Sequence, residues 1–301
     1  MLTCLWAFIE LTRPVFLLGG ALVYGLGATI AAASGASIDW GRYALGQALV
    51  TSIQVMTHYA NEYFDVEGDR AIGTRRTWFS GGSGVLPEGR LQPQVALTSA
   101  RVCAAVAVVM IGVTATVEPV VSGIGVVALL GGWFYSAPPI RSVASGFGEL
   151  ATALMVSVLV PLTGTLMQHS PIGPSLLAVT LPLALINLTM LLTFELPDFE
   201  ADRETGKKTL AVRLGRDRAA WLHTGLLALA FAVAWLAPAL GWLDPGVAAW
   251  TLLAAPLAAW QAIGVLWRAR RGWRGYWMMT AGGVSLYALT AATFLVGFVS
   301  R

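Results

Sequence analysis

The chain has 301 residues, 56% of them hydrophobic and only 12% charged, with a formal net charge of +3. Soluble domains carry about 25% charged residues, so this composition excludes an ordinary water-soluble fold and points to an all-α, polytopic membrane protein. So small a net charge says little about partners; no nucleic-acid partner is expected, and the bilayer is. Cys4 and Cys103 lie far apart in apolar surroundings and read as isolated thiols, too few for a disulfide framework or a thiolate metal site.

The N-terminal run Leu5-Trp6-Ala7-Phe8-Ile9 lacks a preceding basic region and is broken by Glu10 and Arg13. It does not read as a cleaved signal and is expected to form a short interfacial helix. A membrane-spanning helix needs about 20 mostly apolar residues. Nine such segments follow, near 15–34, 43–60, 94–117, 120–136, 147–168, 173–195, 219–238, 243–266 and 276–299. Turn residues mark the joints at Ser34-Gly35, Glu118-Pro119, Ala137-Pro138-Pro139, Ser170-Pro171 and Asp244-Pro245. With the N-terminus in the cytoplasm and nine crossings, all of the 19 Lys and Arg residues except Arg42 and Arg301 fall on the cytoplasmic side. This bias predicts an N-inside, C-outside topology.

One acidic-then-basic pattern occurs twice. Asp65-Val66-Glu67-Gly68-Asp69-Arg70 leads through Gly73 to Arg75-Arg76-Thr77, and Asp198-Phe199-Glu200-Ala201-Asp202-Arg203 leads through Gly206 to Lys207-Lys208-Thr209. The copies lie 133 residues apart, near half the chain. Four crossings separate them, so both are expected on one face of the membrane. The chain therefore reads as a single transmembrane domain, 1–301, with pseudo-repeated halves of about 1–140 and 141–301.

Residues four apart share a helix face. Asn61, Asp65 and Asp69 form one polar stripe, and Asp198 and Asp202 another, with Glu195 a turn earlier. Carboxylates where apolar spans end are costly unless paired, solvated or bound to a cation. Mg²⁺ suits them, because it takes oxygen ligands and commonly bridges carboxylates to a substrate's phosphates. The adjacent Arg75, Arg76, Lys207 and Lys208 are suited to the phosphates themselves. Together they imply a diphosphate held between two Mg²⁺-loaded stripes, and its place at a membrane surface implies a lipid diphosphate. Ser80-Gly81-Gly82-Ser83-Gly84 fits either an anion-binding backbone nest or a slack loop. Tyr59, Tyr63, Phe64, Trp78, Phe79, Phe134, Tyr135 and Phe194 fit either an interfacial belt or a wall for a carbocation.

At these residues a likeness emerges. Asn61-Glu62-Tyr63-Phe64-Asp65-Val66-Glu67-Gly68-Asp69 resembles the first Asp-rich motif of the UbiA family of intramembrane aromatic prenyltransferases. Asp198-x-x-x-Asp202 with Gly206-Lys207-Lys208-Thr209-Leu210-Ala211-Val212-Arg213-Leu214-Gly215 resembles the second, and Tyr135-Ser136-Ala137-Pro138-Pro139-Ile140-Arg141 the loop between the halves. The resemblance implies Mg²⁺-dependent ionisation of an isoprenyl diphosphate and capture of the allylic cation by a small aromatic acceptor. It implies that Asn61, Asp65 and Asp69 serve one metal and Asp198 and Asp202 the other, and that turnover depends on Asp65 and Asp198. Arg75, Arg76, Arg141, Lys207 and Lys208 would contact the diphosphate, and Tyr135 would orient the leaving group or face the cation. Glu62 stands where the family usually has Asp, and Pro197 breaks the family pattern before Asp198 and is expected to kink its helix unless it begins a new turn. Residues 80–89 and 202–213 look most like the branch that prenylates 1,4-dihydroxy-2-naphthoate in menaquinone synthesis. The alternatives are another acceptor such as 4-hydroxybenzoate, a membrane terpene cyclase on the same scaffold, or a cation-coupled transporter. His58 fits a structural hydrogen bond or an acceptor contact, and Glu149 is expected to pair with Arg141.

Overall fold

A computed structural model describes residues 2–73, 76–269 and 276–301. Fourteen α-helices account for most of these residues. A short amphiphilic α1 (Leu2–Leu11) leads into α2 (Pro14–Ala33) and α3 (Trp40–Phe64). The small α4 (Val66–Ile72) continues α3, followed by the hairpin of α5 (Pro93–Val117) and α6 (Pro119–Ser136). Then α7 (Gly148–Leu154) passes through one wide π turn, Met155–Leu159, into α8 (Val160–Leu166). The longest helix, α9 (Pro174–Glu204), precedes a one-turn α10 (Leu210–Leu214) and α11 (Arg216–Leu236). The fold closes with α12 (Pro245–Trp250), α13 (Ala255–Ala269) and α14 (Tyr276–Val299). Prolines at the first turns of α2, α5, α6, α9 and α12 set the starts of five helices, where a missing N–H costs nothing.

Among the described residues, eight helical stretches are long and apolar enough to cross a bilayer. The sequence expectation was nine. The exception is the second, α3, which has the length at 25 residues. Its apolarity is lowered by Gln47, Thr51, Ser52, Gln54, Thr57, His58, Asn61 and Glu62, several of which face the interior rather than the outside. The expected kink at Pro197 does not end the helix either, since α9 carries both Pro182 and Pro197 and runs on to Glu204.

Helix α9 is the central element. In its most apolar stretch 67% of residues are buried, against 17% for α5, whose Val102, Val106, Val109 and Val113 face outward. One core cluster joins α2, α9, α11 and α14, and a second joins α1, α3, α5 and α6. Close approach of α2 and α8 joins the two groups of helices. A Cβ at Gly27 would strike the Pro161 backbone and one at Gly164 the Tyr24 backbone. Small residues at such crossings are the usual device in apolar solvent, where packing rather than hydrophobic burial drives association.

The polar residues concentrate at the two ends. At one, Arg42 donates to the Met167 carbonyl (2.6 Å) and pairs with Glu118 (3.5 Å), tying the start of α3 to the ends of α5 and α8. The other end holds both acidic motifs. Exposed tryptophans flank both, with Trp78, Trp221, Trp267 and Trp277 near the motifs and Trp40, Trp235 and Trp242 at the far end. This is the girdle arrangement of membrane–water interfaces.

Candidate active site

Asp65 sits at the break between α3 and α4, yet the hydrogen-bond ladder continues. Its N–H donates to Asn61 O, and Asp69 N–H donates to Asp65 O, both at 2.9 Å. The expected stripe therefore holds. On the facing helix, Asp198 and Asp202 are a turn apart on α9. Asn61, Asp65, Asp69, Asp198 and Asp202 all line one cavity of about 520 Å³, together with Tyr135 and Lys207. All four aspartates are buried.

Lys207 joins the two motifs. It follows the turn after α9, and its Nζ lies 2.7 Å from Asp65 Oδ2 and 3.8 Å from Asp202 Oδ1. Burial works against its charge, but Asp65 and Asp202 more than restore it, so its pKa lies above the usual lysine value. Asp69 has the opposite balance. Burial, then the neighbouring Asp65 carboxylate, pushes its pKa up to about 7.

Several charged residues have roles the sequence did not disclose. Arg13, in a left-handed conformation (φ 51°) between α1 and α2, donates to Glu62 Oε1 through Nε (2.9 Å) and Nη2 (2.6 Å), and to Asn61 Oδ1 (3.0 Å). Asn61 in turn donates to Ser136 Oγ (3.0 Å). Glu62 is fully buried and points at the glycine-rich loop, accepting from Ser83 N–H (2.7 Å) and Ser83 Oγ–H (2.8 Å). That loop is thus a backbone cradle already filled by the protein's own carboxylate, rather than a slack segment. Gly82, at φ 70°, brings it so close to Asp69 that any Cβ would meet the Asp69 carboxylate. The isolated Arg13 before Pro14, in an otherwise apolar stretch, was the available signal.

The other predicted cations divide. Arg141, at φ 44°, approaches Asp65 Oδ1 at 3.9 Å with its side chain half exposed. Arg76 is turned to the Ser83 carbonyl and to Glu88 (2.8 Å), and Lys208 is exposed; neither lines the cavity. Arg75 lies outside the described residues. Glu149 does not pair with Arg141. It accepts from Leu210 N–H (2.7 Å), while Glu195 accepts from Ala211 N–H (2.9 Å), so both carboxylates cap the start of α10 from inside the cavity.

The aromatic residues divide between the two readings. Phe79, Phe194 and Tyr135 face the cavity, and Phe16, absent from the sequence reading, completes it. Phe16 meets His58, Phe79 and Phe194 edge-on, with centroids 6.1, 6.1 and 6.2 Å away. The Thr12 carbonyl can only accept, so His58 Nδ1 carries a hydrogen and donates to it (2.7 Å), while the ring also lines the cavity. Tyr59, Tyr63 and Phe64 pack in the α3–α5 core, Phe134 lies half-buried away from the cavity, and Trp78 is 85% exposed. Below the charged mouth the walls are mostly apolar, with Leu22, Leu49 and Ile53 among them and Gln54, Thr57 and Asn187 as polar exceptions. At Val15 and Leu18 on α2 the lining is exposed, so the cavity opens sideways onto the apolar outer surface.

The donor set fits Mg²⁺. Asp65 Oδ1 and Asp69 Oδ2 are buried oxygens that accept no hydrogen bond among the described residues. No group of three or more His, Cys, Asp or Glu side chains among those residues is arranged to hold an ion by itself. A hard cation here would be completed by water and substrate oxygens, as Mg²⁺ sites commonly are.

A profile of the UbiA prenyltransferase family matches residues 21–282. A 1,4-dihydroxy-2-naphthoate octaprenyltransferase of Mycobacterium tuberculosis (strain ATCC 25618 / H37Rv) is 30% identical over 225 residues, 73% of this chain and 72% of that protein. Its namesake from Bacillus subtilis (strain 168) is 27% identical over 185 residues, 61% of this chain; the match spans 57% of that relative's length. Among solved structures, a UbiA homolog from Archaeoglobus fulgidus bound to DMAPP and Mg²⁺ superposes with a TM-score of 0.67 at 19% identity, over 98% of this chain and 99% of the other. A digeranylgeranylglyceryl phosphate synthase superposes with a TM-score of 0.65 at 17% identity, over 99% of each.

Proposed function

The chain belongs to the UbiA prenyltransferase family and is a multi-pass membrane enzyme, and from that premise we propose that it transfers an isoprenyl group from a prenyl diphosphate to 1,4-dihydroxy-2-naphthoate or a close relative, in quinone synthesis. The observation that carries this reading is the convergence of both acidic motifs on one cavity, with Lys207 spanning Asp65 and Asp202 at 2.7 and 3.8 Å. The naphthoate acceptor rests on the two curated relatives. The membership in an enzyme family retires the transporter reading.

Asp65 and Asp69 would hold one Mg²⁺, with Asn61 beside them, and Asp198 and Asp202 the other. When bound, Mg²⁺ supplies Lewis-acid stabilisation of the charge that grows on the departing diphosphate. Lys207 is placed to meet that same charge, and Arg141 stands at the mouth for the distal phosphate. Phe16, Phe79, Phe194 and Tyr135 flank the region just inside the carboxylates, where their ring faces favour an allylic cation. The apolar walls exclude the water that would quench it. Both motifs then face the cytoplasm, with nine crossings that include α3, the N-terminus inside and the C-terminus outside. The pseudo-repeat accounts for a site built half from each side of residue 140.

The test uses purified protein in detergent or vesicles with Mg²⁺, geranylgeranyl diphosphate and a panel of hydroxylated aromatic acids, read by mass spectrometry. The expected result is diphosphate release with a prenylated ring, strongest for the naphthoate, and its loss in Asp65→Ala and Asp198→Ala variants that remain folded. A hydrocarbon product made without acceptor would establish a cyclase instead. No Mg²⁺-dependent consumption of any prenyl diphosphate would end the proposal.

A further inference from the structure

We propose that Glu149 and Glu195 form a carboxyl pair that takes the hydroxyl proton from the aromatic acceptor. The inference rests on the prenyl-transfer reading above and assigns it a proton acceptor. The two side chains come from different helices, α7 and α9, and lie within hydrogen-bond reach of each other. They accept from successive backbone N–H groups, of Leu210 and Ala211, which fixes the two carboxylates side by side at the cavity wall, and a carboxylate crowded by another in a water-poor site is suited to accept a proton. Among the described residues, neither forms a salt bridge, because Arg141 and Lys207 are directed to Asp65 and Asp202 instead. Glu149 is 4% exposed, lines the cavity, and its Oε2 receives no N–H or O–H donor from the described residues.

A second observation lies apart from the acids. Asn187, two turns deeper on the same face of α9, is 1% exposed and also lines the cavity. Its amide hydrogen-bonds the Tyr287 hydroxyl, which bonds Ser157 Oγ at 2.9 Å, and Asn187 Oδ1 is left without a donor. The α7–α9–α14 wall therefore presents acceptor oxygens that a hydroxylated ring would satisfy. The α2 wall, with Val15, Phe16, Leu18 and Leu22, is apolar and suits a prenyl chain. Buried acceptors without donors are costly, and a ligand bearing hydroxyls relieves that cost.

In the step, the acceptor O–H bond breaks and its proton passes to a carboxylate of the pair. The freed electron pair enters the ring, and a ring carbon bonds to C1 of the prenyl group. The C1–O bond breaks and its electrons leave with the diphosphate. The ring regains aromaticity by moving the proton of the attacked carbon to its oxygen, and the pair returns one proton to water at the mouth.

Glu149→Gln and Glu195→Gln test this, because Gln keeps the oxygen that receives Leu210 N–H or Ala211 N–H and so preserves a capping role. Turnover with Mg²⁺, geranylgeranyl diphosphate and 1,4-dihydroxy-2-naphthoate is followed against pH. The titratable groups facing the pair are Tyr135 from α6 and Asp202 on α9, and Asp202 in turn faces Asp65 and Lys207. The expected loss in kcat near pH 7 is about 100-fold in each variant, with geranylgeranyl thiodiphosphate binding unchanged. Activity should recover above about pH 9, where a phenolic hydroxyl begins to ionise unaided. Variants within about threefold of wild type, or a loss that persists at high pH, would overturn the pair's role while leaving prenyl transfer standing. A wild-type protein that prenylates no hydroxylated ring would overturn both.

Discussion

Replacing Lys207 by Met tests the electrostatics of the site without changing its volume greatly. Its ammonium compensates two buried carboxylates from opposite halves of the chain, and the Lys207 and Asp65 side chains are only 10% and 9% exposed. Removing one partner of a buried ion pair costs about 3–5 kcal/mol, because the remaining charge is left uncompensated. For a chain of this size each kcal/mol moves the melting temperature by roughly 2–4 °C, so the variant should melt at least about 6 °C below wild type in EDTA. In the proposed two-metal site Mg²⁺ would meet the same carboxylates without competition from the ammonium, so it should stabilise the variant more than wild type. A ligand at a hundredfold excess over its Kd contributes about 2.7 kcal/mol, enough to recover much of the deficit. Thermal melts in detergent, with EDTA, Mg²⁺, or Mg²⁺ plus geranylgeranyl thiodiphosphate, read both effects. Equal melting temperatures in EDTA, or equal Mg²⁺ shifts in the two proteins, would show that Lys207 does not neutralise Asp65 and Asp202.

Gly82→Ala should lower kcat/KM at least about tenfold, since the new Cβ meets the Asp69 carboxylate at a left-handed position that already disfavours side chains; isothermal Mg²⁺ titration should show a matching weakening. Glu62→Ala leaves the partly buried Arg13 without its carboxylate and Ser83 without its acceptor, at about 3 kcal/mol, the low end for a buried pair. Protease cleavage within residues 76–90 should then accelerate, which a metal-ligand role for Glu62 would not produce. Asp69 titrates near 7 instead of 3.8. Below the unfolded value both states hold its proton; between about pH 4 and 7 only the folded, metal-free protein does. Its stability should therefore fall as pH rises through that window and level off above about 7. Apparent Mg²⁺ affinity should climb by up to roughly tenfold per pH unit below 7 and flatten above it. An affinity independent of pH would rule out Asp69 as a ligand.

The sequence carried the fold because apolar length and proline placement are local signals. Five helix starts fall on the prolines, and eight of the nine expected spans recur as apolar helices. The ninth, α3, keeps the expected length but falls short in apolarity, because several of its side chains line the cavity. The aspartate stripes were legible for the same reason, being matters of spacing along one helix. What stayed hidden depends on contacts between distant segments. Arg13 meets Glu62 across 49 residues and Lys207 meets Asp65 across 142. No periodicity distinguishes a glutamate that binds metal from one that fills a glycine loop. The same applies to Phe16, which joins the aromatic wall only because α2 crosses α3 and α9 there, and to Glu149, whose partner proved to be α10 and Glu195 rather than Arg141.

The sideways opening at Val15 and Leu18 has a kinetic consequence. A substrate with a long hydrocarbon tail can enter, react and depart without leaving the lipid phase, so its effective concentration is a surface density rather than a bulk molarity. Rates in vesicles should saturate with the mole fraction of prenyl diphosphate in the bilayer, and diluting that substrate with inert lipid at constant total concentration should slow the enzyme. The acceptor, if it arrives through the charged mouth, would obey ordinary solution kinetics. One active site would thus draw its two reactants from phases of different dimension.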